Sequence, residues 1–129
     1  KRVDGGVAFA MVTQDFGKAM PKKQRRLARD SAVLAKLMSD KVVIVDGLSF
    51  ELPKTKEFAR ILKNLGIERS CLVTTETAKT EIHKSARNIR RVDVSPVADL
   101  NAGDICGHDK MLFTKDAFLA FFERSKAEN

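Results

Sequence analysis

Lys41-Val-Val-Ile-Val-Asp46 decides the fold: four consecutive β-branched residues fill it between two charged ends. Such side chains are stiff at χ1 and suit a pleated strand. No polar residue alternates with them, so the segment reads as a strand covered on both faces. Upstream, Pro21 suits the first position of a helix that runs to about Ser39. Downstream, Pro53 precedes a helix over about 54–65, with Phe58, Ile61, Leu62 and Leu65 on one face and Gly66 placed to cap it. Ser70–Thr74 reads as a second apolar strand. Residues 78–89 read as a helix carrying Ile82, Ala86 and Ile89. Val92–Val97 is a third strand, 101–106 a helical turn and Lys110–Phe113 a fourth strand. Thr114 then looks like the N-cap of a last helix, about 115–125, which turns Phe118, Leu119 and Phe122 inward. This alternation predicts a three-layer α/β domain: a mostly parallel sheet of about four strands with helices on both faces. Residues 1–20 read as a Gly-containing loop remnant and 21–129 as a single domain.

The 129 residues are 43% hydrophobic, enough for a real core, and 32% charged. The net charge of +7 is concentrated in one place. Residues 18–36 hold Lys18, Lys22, Lys23, Arg25, Arg26, Arg29 and Lys36 against the single acid Asp30. The rest of the chain is close to balanced. A local basic cluster points to a polyanion. On a helical wheel Lys22, Arg25, Arg26, Arg29 and Lys36 fall within roughly 100°. Leu27, Ser31, Leu34 and Met38 lie opposite, while Val33 intrudes on the basic arc. The expected arrangement docks the leucine side on the sheet and offers five cations to phosphates. Lys22 and Lys23 sit in the first turn, where the helix dipole disfavours cations, which suggests a functional reason for them. Arg87, Arg90 and Arg91 form a smaller cluster at a helix end. Lys54 and Lys56 follow Pro53 at the mouth of the second helix.

Enzyme chemistry finds little support. Asp46 ends an apolar strand, as active-site carboxylates do in doubly wound sheets. A small-molecule or phosphoryl-transfer domain using Asp46 is therefore the alternative reading. No acidic pair near a first strand completes a magnesium site, and no Gly-rich phosphate motif occurs. His83 reads as a helix-surface residue and His108 as a turn residue. Cys71 and Cys106 read as buried thiols, because no zinc-ligand spacing surrounds them. The phenylalanines are spaced as core rather than as a stacking platform. No apolar run approaches the roughly 20 residues of a membrane span. Neither metal nor cofactor is expected.

Several stretches, in order, carry a resemblance. They are Gly5-Gly-Val-Ala-Phe9, Pro21-Lys-Lys-Gln-Arg-Arg-Leu-Ala28, Lys41-Val-Val-Ile-Val-Asp46 and Glu51-Leu-Pro-Lys-Thr-Lys56. Ala86-Arg-Asn-Ile89, Val92-Asp-Val94 and His108-Asp-Lys-Met-Leu112 complete the series. Singly each is weak; in series the chain resembles the bacterial-type, universal family of large-subunit ribosomal protein four. The resemblance implies a Rossmann-like domain without nucleotide chemistry. It also implies a structural, non-enzymatic role in the large subunit, with large-subunit ribosomal RNA and neighbouring ribosomal proteins as partners and no membrane. The location would be the ribosome of the cytoplasm or of an organelle. Members of the family also carry a first strand, a first helix and a long tunnel loop, and the sequence is expected to start where that loop ends. An exposed sheet edge or an unfilled apolar groove should follow. Residues 10–20 depart from the family's polar, proline-containing stretch.

Overall fold

The computed structural model describes residues 3, 5–6, 9, 11–50 and 52–128. The expectations for Lys1, Arg2, Asp4, Val7, Ala8, Ala10, Glu51 and Asn129 lie outside them. Four strands form one sheet: β1 (Val42–Val45), β2 (Cys71–Thr75), β3 (Val92–Pro96) and β4 (Lys110–Thr114). All neighbours are parallel, in the order β1-β4-β2-β3, with Val42 beside Met111, Leu72 beside Met111 and Cys71 beside Val92. The helices are α1 (Lys22–Met38), α2 (Thr55–Asn64), α3 (Thr80–Ala86), α4 (Ala102–Gly107) and α5 (Lys115–Glu128), with a 3-10 turn at Val97–Asp99. The predicted parallel α/β sheet, helices on both faces, is the observed one.

Strand periodicity divides the core in two. Leu72, Met111 and Phe113 point to one face, where Ala32 and Val33 of α1, Ile105 of α4, and Ala117 and Phe121 of α5 cover them. Cys71, Val73 and Leu112 point to the other, under Phe58 and Leu62 of α2 and Ile82 and Ala86 of α3. Local signals set the ends. Gly66 takes φ +65 after α2, a left-handed conformation that costs glycine nothing, and its N–H donates to the Lys63 carbonyl. The Thr114 hydroxyl accepts from the Ala117 N–H and Asn101 accepts from Asp104, so α5 and α4 start capped.

α1 packs with the opposite face from the one expected. Val33 is 2% exposed and Arg29 5%, whereas Leu34 is 57% exposed and Leu27, Leu37 and Met38 face outward. The arc that carries the cations is therefore the packing face. Small Ala32 and Val33 allow close approach, and the long stems of Arg29 and Lys36 run along apolar surface while their heads find partners.

α5 is likewise turned. Ala117 and Phe121 are buried and Phe118 partly so, but Leu119 and Phe122 are 55% and 53% exposed. The cause is its start. α5 follows β4 without a loop, and buried Thr114 sets the phase, so residues three, four and seven further on face the core.

α3 is shorter than predicted. Arg91 takes φ +63 so that the chain can turn at once into β3, and the Ile89 N–H closes the turn on Ala86. The third strand ends at Pro96, and Val97 begins the 3-10 turn. Cys71 is buried as expected, but Cys106 on α4 is exposed. Phe9, Phe16 and Phe122 are exposed too, so not every phenylalanine is core. Among the described residues β1 pairs with β4 alone, and Ile44 is half-exposed.

Candidate nucleic-acid interface

The N-terminal half of α1, the 3-10 turn leading into α4, and α5 enclose a groove of about 560 Å³. It lies just beyond the carboxyl end of β3, where open α/β sheets commonly bind ligands. Lys22, Arg25, Arg26 and Arg29 line it from α1 and Arg124 from α5; among the described residues Asp99 is the only acid in the lining. Arg124 is anchored by its own donors, with Nη1 3.3 and 3.1 Å from the Val97 and Ala98 carbonyls. Arg29 is held deeper. Its Nε donates to Asp30 at 2.9 Å, its guanidinium lies 5.3 Å from the Phe121 ring centre, and Ser125 donates to the other Asp30 oxygen at 3.1 Å. α1 opens with no acid in its first turn and no side-chain cap, so its first N–H groups add partial positive charge nearby. Guanidinium groups grip phosphate oxygens in pairs, and lysines add point charge. Such a lining can hold a chain of phosphates.

The profile of the "Ribosomal protein L4/L1 family" matches residues 1–124. This chain belongs to that family. It is 40% identical over 115 residues to a protein of Alkaliphilus oremlandii named "Large ribosomal subunit protein uL4", covering 89% of this chain and 56% of that one. The protein of the same name from Symbiobacterium thermophilum is 42% identical over 113 residues, covering 88% and 55%. That of Clostridium botulinum strain Eklund 17B is 37% identical over 115 residues, covering 89% and 55%. The chain thus spans about half the length of the curated relatives it matches.

In this family member the structure separates the basic residues expected from sequence. Lys22, Arg25, Arg26 and Arg29 meet in the groove. Lys18 lies in the exposed stretch before α1, and Lys23 is exposed on α1 outside the groove lining. Lys36 is turned inward: its ammonium donates to the His108 and Asp109 carbonyls at 2.5 and 3.2 Å, tying α1 to the start of β4. Lys54 and Lys56 stand at the mouth of α2, on the other face of the sheet, and Lys54 pairs with Glu57 at 3.2 Å. Arg87 closes α3, and Arg90 and Arg91 form the turn into β3. Asp46, the alternative's candidate, is exposed and pairs with Lys115 at 3.2 Å. His83 is on the surface of α3, and the His108 ring caps α4, bridging the Asp104 carbonyl and the Asp93 carboxylate at 2.8 and 2.9 Å. Arg124 was missed. It stands nearly a hundred positions from α1 in a near-neutral helix, and only the packing of α5 beside α1 brings it to the groove.

Proposed function

We propose that this chain is an RNA-binding globular part of a structural protein of the large ribosomal subunit, with no catalytic role. Residues 21–129 act as one domain and 1–20 as a loop. Ribosomal RNA enters the groove, where Lys22, Arg25, Arg26 and Arg124 hold phosphates and Arg29 braces the floor. Lys18, Lys23, Lys54, Lys56, Arg87, Arg90 and Arg91 add contacts outside it, while Lys36 serves the fold. Neighbouring ribosomal proteins are the other partners, in the ribosome of the cytoplasm. The observation that carries this reading is the convergence of five cations from two helices on one groove, whose lining among the described residues includes one acid, Asp99. Family membership supports it, since the named relatives are large-subunit proteins.

A titration with large-subunit RNA fragments at several salt concentrations tests it. Four phosphate contacts predict a log–log slope of about −3 to −4. Arg25→Gln with Arg26→Gln should flatten the slope by about 1.5 to 2 in a variant that thermal unfolding shows to be still folded. An unchanged slope in this variant would sink the reading.

A further inference from the structure

We propose that a second concavity, between α3 and the edge strand β3, takes one unstacked base of a single-stranded RNA segment. Lys79, Lys84 and Arg87 hold the flanking phosphates. The inference rests on the RNA-binding reading above and extends it to a site on the other face of the sheet.

The cavity measures about 160 Å³. Its floor is made by Thr75 and Pro96, the last residues of β2 and β3, and by Val94 in the middle of β3, with Ala78 beside them. The Thr75 hydroxyl donates to the Thr77 carbonyl at 2.8 Å, so its polarity is spent within the loop. The wall is one face of α3. Thr80, His83, Lys84 and Arg87 follow the spacing i, i+3, i+4, i+7 and all line the cavity, with Lys79 just before the helix. Among the described residues no ion pair engages Lys79, Lys84 or Arg87. Glu81 is the carboxylate closest to this rim in sequence; it is held ionised first by a backbone hydrogen bond from its own N–H, then by the Thr80 hydroxyl at 3.0 Å, with smaller help from the charges of Lys84 and Lys79. The rim remains positive.

An apolar floor with a cationic rim selects among ligands. A lone anion needs the rim but not the floor, and an apolar ligand needs the floor but not the rim. A nucleotide uses both: its base has two apolar faces and its phosphates are charged. His83 supplies an aromatic ring at the entrance, and Arg87 a planar group on which bases also stack. Position argues for RNA over a free nucleotide. Pro96 lines this cavity and Ala98 lines the groove. Two residues of backbone span at most about 7 Å. β3 is the last strand of the sheet, so a strand leaving the groove can round its open edge and reach this cavity directly.

The test uses methyl-resolved nuclear magnetic resonance of the chain carrying Arg25→Gln and Arg26→Gln, which weakens the groove. Three probes are added separately: inorganic phosphate, uridine monophosphate and an oligouridine octamer. The octamer should shift the Val94 and Ala78 methyl signals saturably, uridine monophosphate more weakly, and phosphate not at all. Ala78→Trp fills the cavity and keeps every charge. It should weaken octamer binding about tenfold, as loss of one stacked base does, with the salt slope unchanged. Lys84→Gln with Arg87→Gln should instead flatten the slope by about 1.4, which keeps the proposal testable if the tryptophan variant misfolds. Equal shifts with phosphate alone, tighter binding of the monophosphate than of the octamer, or undiminished octamer binding by Ala78→Trp would each overturn the proposal. If the groove variant loses large-subunit RNA while Ala78→Trp does not, this site alone fails. If neither variant affects RNA binding, the RNA-binding reading fails with it.

Discussion

Arg29 and Arg25 are four positions apart on the same helix and have different physical roles. Arg29 is buried with its charge answered by Asp30 and the Phe121 ring. Removing it leaves Asp30 with one fewer donor in a half-buried site. Arg29→Gln should therefore cost about 1–3 kcal/mol in denaturant unfolding, while Arg25→Gln stays within about 0.5. A triple glutamine replacement at Arg25, Arg26 and Arg29 would mix the two effects. The cysteines differ as sharply. Burial pushes the Cys71 thiol up to about 12, so it stays protonated and shielded, whereas Cys106 is exposed. One equivalent of iodoacetamide should label Cys106 in the native protein at neutral pH, with Cys71 reacting only after unfolding; mass spectrometry of digests reads this directly. Asp109 is held below its usual range first by a hydrogen bond from Lys41 at 2.7 Å, then by the charges of Lys41, Arg69 and Lys36. A carboxyl with a lowered native pKa stabilises the fold above its ordinary value and loses that contribution as pH falls through the native one. Asp109→Asn should thus flatten the loss of thermal stability on acidification below about pH 4 relative to the parent.

At the scale of elements, the informative helix is α1. Its sequence has an apolar side and a basic side, and hydropathy alone places the apolar side inward. Packing chose the basic side, because Ala32 and Val33 lie on it and because Arg29 and Lys36 each find polar partners at the end of an apolar stem. The consequence is measurable. Val33→Ala should cost about 1–3 kcal/mol and Leu34→Ala no more than about 0.5, the reverse of what helical amphipathicity implies. Equal losses at both positions, measured by urea unfolding, would contradict the observed orientation. α5 teaches the same lesson by another route, since its phase is set by a buried cap rather than by its largest side chains. α3 was legible as a helix, but its end was not. The left-handed Arg91 that ends it answers the need to enter β3 within a few residues, which propensity does not encode.

For the whole molecule, a net charge of +7 becomes two basic concavities flanking the carboxyl end of β3, one on each face of the sheet. Because they share no lining residue, their contributions to RNA affinity should be nearly independent. Combining Arg25→Gln and Arg26→Gln with Lys84→Gln and Arg87→Gln should add the separate losses to within about 0.5 kcal/mol. Strong coupling in that cycle would mean that one RNA feature bridges both sites rigidly. Exposed apolar side chains are a second property at this scale. Leu27, Leu34 and Met38 of α1, Ile44 of β1, and Leu119 and Phe122 of α5 all reach solvent in the isolated chain.

The sequence by itself determined the parallel α/β architecture, because a run such as Cys71–Val73 belongs between helical layers; Val42–Val45, read as covered on both faces, is instead an edge strand with Ile44 half-exposed. It also determined that α1 is the basic helix, since charge along the chain is a local property. Which face of α1 is buried, the turn of α5 and the presence of Arg124 at the groove were decided only by tertiary structure. Those depend on which small residues permit close approach and on which distant groups can satisfy a buried cation. Neither is a property of any one segment; both arise from the contacts between segments that the folded sheet brings together.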